Sequence, residues 1–244
     1  MIAADVSKAL AAVADPDSVA AKQRFFRTGP GEYGEGDRFL GVSVPDQRRV
    51  ARSYKALPLN EVRTLLTTGA HEERLTALFI LVLKFAEAEL REEIVDLYLT
   101  QTAFVNNWDL VDSSAYQLLG EWLVDRDRTV LDRLAGSESL WERRIAIIAT
   151  FAFIRRDDPE WTLRIADKLV DDRHDLIHKA VGWMLREVGN RDRDAEVRWL
   201  VRHQRTMPRT MLRYAIEKFA PAERRAFLAG EGPGGVSAGA FAEP

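Results

Sequence analysis

Asn106-Asn107-Trp108-Asp109-Leu110-Val111-Asp112-Ser113-Ser114 reads as the start of a helix, and that reading decides the class of the chain. Asn107 suits an N-cap, because its side-chain oxygen can accept a bond from a backbone N–H two or three residues on. Trp108 and Asp112 are four apart and share one helical face, while Asp109 points elsewhere. Continued over 108–124, the helix has an apolar side of Val111, Ala115, Leu118, Leu119 and Trp122. Trp108 and Asp112 border that side, with Tyr116, Leu119 and Leu123 beneath them. A carboxylate in that position is costly unless it has a cationic or hydrogen-bonding partner. Two readings stay open here. One is a helix-start aspartate favoured by the macrodipole beside a core tryptophan; the other is a polar group kept for function.

Working outward, helical patterning dominates and no convincing alternating strand is found. Helices are expected at 3–14 and, opened by Asp15-Pro16, at 16–27. Next comes TGPGEYGEGDRFLGVSV at 28–44. Its glycines suggest a phosphate cradle, but Glu32, Glu35 and Asp37 would repel phosphate and no Gly-Lys-Ser/Thr follows, so it reads as a flexible insertion. Pro45 opens a helix carrying Gln47, Arg48, Arg49 and Arg52. Further helices are expected near 60–67, 71–86, 90–103, 108–124, 127–135, 139–155, 159–170, 174–188, 193–206, 209–219 and 222–229. Such tandem helices, tightly joined, predict an all-α chain, a curved α-solenoid of HEAT-like antiparallel helix pairs whose concave side is a binding surface. A compact irregular bundle is the alternative. One repeat domain is expected over 1–230, with a flexible, glycine-rich tail over 231–244.

The 244 residues are 46% hydrophobic, ample for a large core. Cysteine is absent, which excludes a disulfide framework or thiolate zinc site. The amino-terminal stretch lacks the basic region of a secretory signal. The longest apolar run, 145–154, is about half of what a bilayer span needs. A cytoplasmic protein without a membrane partner is expected. Net charge is −3, but residues 141–220 carry 17 Lys+Arg against 13 Asp+Glu. Arg202, Arg205, Arg209, Arg213 and Lys218 face only Glu217 over 202–218. A solvated helical surface would account for this, yet segregated charge is also what a phosphate backbone requires.

Two more helices hold polar groups in awkward places. The segment from Trp141 to Arg156 is apolar almost all round and so should be buried. Arg144 projects between Ile148 and Phe151, with Arg155 three turns on at nearly the same angle. A buried guanidinium needs an anion, and Asp112 is the nearest unexplained carboxylate by topology; a structural ion pair or a snorkelling side chain is the plain explanation. In 174–188 the core stripe is Leu176, Ile177, Ala180, Val181, Met184, Leu185 and Val188. Trp183 lies off that stripe, beside Lys179 and Arg186, where it can offer a ring face to a ligand. Trp122, Trp141, Trp161 and Trp199 read as packing residues. His174-Asp175-Leu176-Ile177-His178 approaches the H-E-x-x-H pattern of zinc proteases, but Asp is too short for the base, no third ligand follows, and Leu176 and Ile177 commit a face to the core. These histidines read as cap and surface residues, and no metal site is expected.

FLGVSVPDQRRVAR at 39–52, NNWDLVDSSA at 106–115, LWERRIAI at 140–147 and HKAVGWMLREVG at 178–189 together resemble the HEAT-like-repeat DNA glycosylases of the AlkD type, in the bacterial DNA alkylation repair family. The resemblance spans about 20–225; the glycine-rich loop before Phe39 and the tail depart from it. It implies a basic groove holding double-stranded DNA, and hydrolysis of the N-glycosidic bond of cationic N3- and N7-alkylated purines, by a monomer with no cofactor. Matched by motif, the catalytic group is Asp112, with Trp108, Trp183 and Arg144 around the lesion. Lys179, Arg186, Arg209, Arg213 and Arg48 are candidates for phosphate contacts. The competing expectations are a non-catalytic relative that binds DNA structures and a helical-repeat scaffold for proteins.

Overall fold

The computed structural model describes residues 1–232, and all regular structure in them is helical. The tail expected over 231–244 lies, from 233 on, outside the described residues. The chain divides into two compact units, 1–122 and 123–244.

In the first unit run α1 (Ala3–Ala11), α2 (Val19–Phe25), α3 (Val44–Ser53), α4 (Leu59–Thr68), α5 (His71–Lys84), α6 (Arg91–Thr100) and α7 (Trp108–Asp112). The helix starts follow capping chemistry. Ser43 Oγ accepts from the Asp46 N–H, with Pro45 in the first turn of α3. The core gathers Val6, Leu10, Leu57, Leu65, Leu66, Leu78 and Leu81, and α5 is buried along most of its length.

The stretch at 28–44 differs from its expectation: it is folded. Its acidic residues serve its own backbone, since Gly29 and Gly31 donate to the carboxylates of Glu32 and Glu35, each at 2.9 Å. The buried carboxylate of Glu72, on α5, accepts from the N–H groups of Leu40, Gly41 and Val42 at 2.9, 2.9 and 3.2 Å. Gly41 has φ +88°, and a Cβ there would lie 2.0 Å from the Asp15 carbonyl, so only glycine fits. Glycine content signalled turns correctly, but of the three carboxylates Glu32 and Glu35 bind the loop's own amides and Asp37 has partners 34 and 37 residues away.

The helix expected over 108–124 is also interrupted. α7 ends at Asp112, turns follow, and 116–120 winds as a π-helical turn. Ser114 contributes to the break: its hydroxyl donates back to the Leu110 carbonyl at 2.6 Å, a side-chain bond that competes with helical pairing. Of the apolar side expected, Val111, Ala115, Leu118 and Leu119 are nevertheless buried, and Trp122 is only half-buried.

In the second unit run α8 (Thr129–Ala135), α9 (Leu140–Ala149), α10 (Phe151–Ile154), α11 (Glu160–Leu169), α12 (Asp175–Gly189), α13 (Arg193–His203), α14 (Arg209–Ala215) and α15 (Pro221–Ala229). The single helix expected over 139–155 is two, parted at Thr150, whose hydroxyl donates to the Ile147 carbonyl at 2.7 Å. Arg155, placed on the face of Arg144 by the unbroken reading, is exposed.

α12 is the spine of this unit, with α9, α11, α13 and α14 packed around it. Its approach to α14 requires Gly182. A Cβ there would stand 2.4 Å from the Met211 carbonyl oxygen and 2.6 Å from Tyr214 Cβ. Backbone cannot yield as a side-chain tip can, so Gly182→Ala should destabilise the protein by about 1–3 kcal/mol through overpacking. Urea unfolding checks this; an unchanged midpoint would show that α12 and α14 do not need the close approach.

Candidate functional site

In the first unit the expected pair, Trp108 and Asp112, sits at the two ends of α7. Asn107 caps the helix from extended backbone, but its side-chain oxygen accepts from the Trp108 N–H at 2.8 Å, one residue on. Trp108 is half-buried and stacks on Phe26, ring centres 5.4 Å apart and planes 24° from parallel. Phe25 meets it edge-on at 5.8 Å and is itself 65% exposed. Phe25 was missed in the sequence. The signal was Arg24-Phe25-Phe26-Arg27, because adjacent helical residues differ by ~100° and one helix face cannot bury both rings.

Asp112 is half-buried at the last position of α7. Beneath this turn lies a buried polar floor: the Tyr98 and Ser114 hydroxyls are 3.1 Å apart. Burial pushes the Tyr98 hydroxyl far above its ordinary value; the bond with Ser114 offsets part of this, and the negative charge of Asp112 adds to the rise. The floor therefore stays neutral beneath Asp112.

Asp109 turns away, as its place on the wheel requires. Its carboxylate meets His71 Nε2 at 2.8 Å, while His71 Nδ1 meets Asp37 at 2.8 Å. Arg74 donates to both oxygens of Asp37, each at 2.9 Å. Nothing in the spacing of residues 37, 71 and 109 pointed to this cluster.

In the second unit, Arg144 is 5% exposed and its Nη1 donates to the Leu176 carbonyl at 2.5 Å, in the first turn of α12. The buried guanidinium thus engages a backbone acceptor on the helix that carries Trp183. Trp183 is half-buried, off the core stripe as expected, with its ring tilted against Phe151 at 6.3 Å. Its indole N–H donates to Glu187 at 3.0 Å, a partner one turn on that the sequence reading did not use. His174 is the N-cap of α12, with Nδ1 accepting from the Leu176 N–H at 3.1 Å.

The phosphate-contact candidates fall in different settings. Lys179 pairs with Asp175 at 2.6 Å, and Arg186 is held between Glu187 and Glu217. Arg209 and Arg213 are exposed one turn apart on α14, with no acidic partner among the described residues. Arg48, in the first unit, is exposed with its guanidinium 4.1 Å from the centre of the Phe79 ring.

These features define a protein, all-helical in its described residues, in which one short helix carries a half-buried tryptophan at its start and a half-buried aspartate at its end. Residues 6–219 match the family described as DNA alkylation repair enzyme, and the chain belongs to that family. Its role therefore lies in the repair of alkylated DNA. No curated protein matches the sequence. Among solved structures the fold is similar to a "Predicted DNA alkylation repair enzyme from Enterococcus faecalis", with a TM-score of 0.68, 17% identity, and coverage of 85% of this chain and 97% of that one. Among the described residues no helix is long and apolar enough to cross a membrane.

The bond from Trp183 to Glu187 fixes the indole ring in place. Glu187→Ala should shift the Trp183 Hε1 resonance upfield and speed its exchange with solvent, because an indole N–H released from a carboxylate loses a charge-assisted bond. A Trp183 Hε1 signal unchanged in position and exchange would show that the ring is held by packing alone.

Proposed function

We propose that this protein is a monofunctional DNA glycosylase that hydrolyses the N-glycosidic bond of cationic N3- and N7-alkylated purines in duplex DNA, as the first step of base excision repair. The observation that carries the reading is Asp112, a carboxylate half-buried on a neutral hydroxyl floor, four residues from Trp108 and its exposed neighbour Phe25.

The substrate explains the economy of the site. Alkylation at N3 or N7 places a positive charge on the purine, which makes it a good leaving group without a strong general acid. What remains is to stabilise the oxocarbenium-like sugar and to aim a water at its anomeric carbon. Asp112 does both, through its charge and by hydrogen-bonding the water. An ionised carboxylate stabilises a cation that develops in the transition state more than it stabilises neutral DNA, and that difference is catalysis. Trp108 and Phe25 supply ring faces to the lesion nucleotide, each contact worth about 1–2 kcal/mol when desolvated.

Trp183 and Arg144 contribute a second aromatic face and a cation for the DNA backbone. Arg209 and Arg213, with Arg48, add phosphate contacts independent of sequence, so binding weakens with salt, whereas Lys179 and Arg186 are held by carboxylates. Acidic net charge does not oppose this, because association depends on where the cations lie rather than on their sum.

Release of 3-methyladenine and 7-methylguanine from alkylated duplex DNA tests the assignment. Asp112→Asn keeps the size of the side chain and removes the charge. It should lower single-turnover release by about 10²–10³-fold, the usual consequence of losing a main electrostatic stabiliser, while DNA affinity changes little. Equal release by wild type and variant would remove Asp112 from the chemistry. Salt-dependent DNA binding by wild type without any release would identify a DNA-structure-binding protein instead.

A further inference from the structure

His71 opens α5 and is 2% exposed, with both ring nitrogens spent on carboxylates: Nδ1 on Asp37 and Nε2 on Asp109, each at 2.8 Å. An ionised carboxylate only accepts hydrogen bonds, so both nitrogens must carry a proton for both bonds to exist, and the ring is an imidazolium. Its backbone N–H also donates to the Arg38 carbonyl at 2.8 Å. The ring lies between aromatic partners, stacked on Phe39 at 4.5 Å and tilted on Phe26 at 4.7 Å; Phe26 in turn stacks on Trp108. The glycine-rich loop, α5 and α7 thus converge on one side chain.

We propose that His71 is a positioning residue for base excision: it ties the loop, through Asp37, to the first turn of α7, through Asp109, and so holds the helix that presents Trp108 and Asp112. The proposal rests on the reading of Asp112 as the catalytic group and adds to it a long-range control of that group.

The charges facing His71 are Asp37 from the loop, Asp109 from α7 and, one turn along α5, Arg74, which shares Asp37; Glu72, the next residue on α5, is turned to the loop amides and lies 3.9 Å from Lys22 of α2. Two carboxylates and two cations therefore balance inside the cluster. Asp109 and Asp112 are three residues apart on α7 and so are neighbours on its surface. An Asp109 charge left uncancelled would raise the pKa of Asp112, as like charges do. His71 thus acts on Asp112 in two ways, by fixing its helix and by cancelling the carboxylate beside it.

Burial alone would depress His71, but the hydrogen bonds to Asp109 and Asp37, with their charges, outweigh it and raise the ring from 6.5 to about 9. Asp37 moves the other way: burial would raise it, and the bond from His71 and the charge of Arg74 bring it below its ordinary value. A group raised in the folded state stabilises fully below its unfolded value. The His71 contribution is therefore complete below about 6.5 and is lost as pH rises through about 9.

The test uses the full chain, with imidazole nitrogens followed by NMR against pH and single-turnover base release measured over the same range. His71 should stay doubly protonated at pH 7 and lose its proton near 9, with wild-type release falling in step. His71→Gln should cut the maximal rate by roughly 10- to 100-fold, the range expected when a catalytic group is displaced by about an ångström, with a much smaller change in KM. The same variant should move the acid limb of its pH profile upward, because Asp109 is then uncancelled, and should lose the alkaline fall. Asp37→Asn, which cuts only the loop arm, should lower the rate and leave the acid limb in place. A neutral imidazole at pH 7, or a His71→Gln protein with the wild-type rate and profile, would overturn the proposal. A folded wild type that releases no base would instead refute the glycosylase reading, while the titration of His71 would still decide whether the clamp exists.

Discussion

A helix of five residues has no stability of its own. Fixing its backbone costs more than its few internal hydrogen bonds return, so α7 stands only because other parts of the first unit hold it. The anchors can be named: the Asn107 cap, the Trp108 ring on Phe26, the Asp109 carboxylate on His71, and the Ser114 hydroxyl between the Leu110 carbonyl and Tyr98. All but Ser114 act on the start of the helix. Asp112 stands at its end. A short helix pinned at several points is stiffer in position than a long one pinned by an apolar stripe, and the carboxylate it carries shares that stiffness.

The helical class and most helix positions were legible in the sequence, because 3.6-residue periodicity and caps are local. The wheel placed Val111, Ala115, Leu118 and Leu119 inward, and all four are buried. It set Trp183 beside the core stripe, as found. The wheel failed where a side chain bonds to its own backbone, as Ser114 and Thr150 do, since such bonds end a helix without changing the hydrophobic pattern. It failed too where partners are remote in sequence. Glu32, Glu35 and Asp37 were legible only as charges, so the loop read as flexible. The partners of Asp37 lie 34 and 37 residues away, and no spacing rule reaches that far. Phe25 was overlooked for a different reason: an apolar residue in a helical pattern is assumed buried, and here it is open beside Trp108.

The second unit shows how a protein with a slight acidic excess divides its cations between structural pairs and solvent. Several of its basic side chains are structural: Arg143 binds Asp172, Arg164 binds Asp132, and Arg186 binds Glu187 and Glu217. Arg144 is buried and spends a donor on the Leu176 carbonyl. Arg209 and Arg213 differ in being exposed on α14, against the helix that carries Trp183. Counting charge along the sequence located the basic excess over 141–220. It could not separate cations already bound to carboxylates from those left to solvent.

The account rests on one chemical distinction, that the substrate base is already cationic and the protein supplies only charge stabilisation and a directed water. Duplexes carrying a single N7-alkylguanine, and matched duplexes carrying an uncharged damaged base such as hypoxanthine, probe it when products are identified by mass spectrometry. The account predicts the free alkylated base and an unbroken abasic strand from the first, and no excision from the second. Comparable excision of the neutral base, or transfer of the alkyl group without loss of the base, would contradict it.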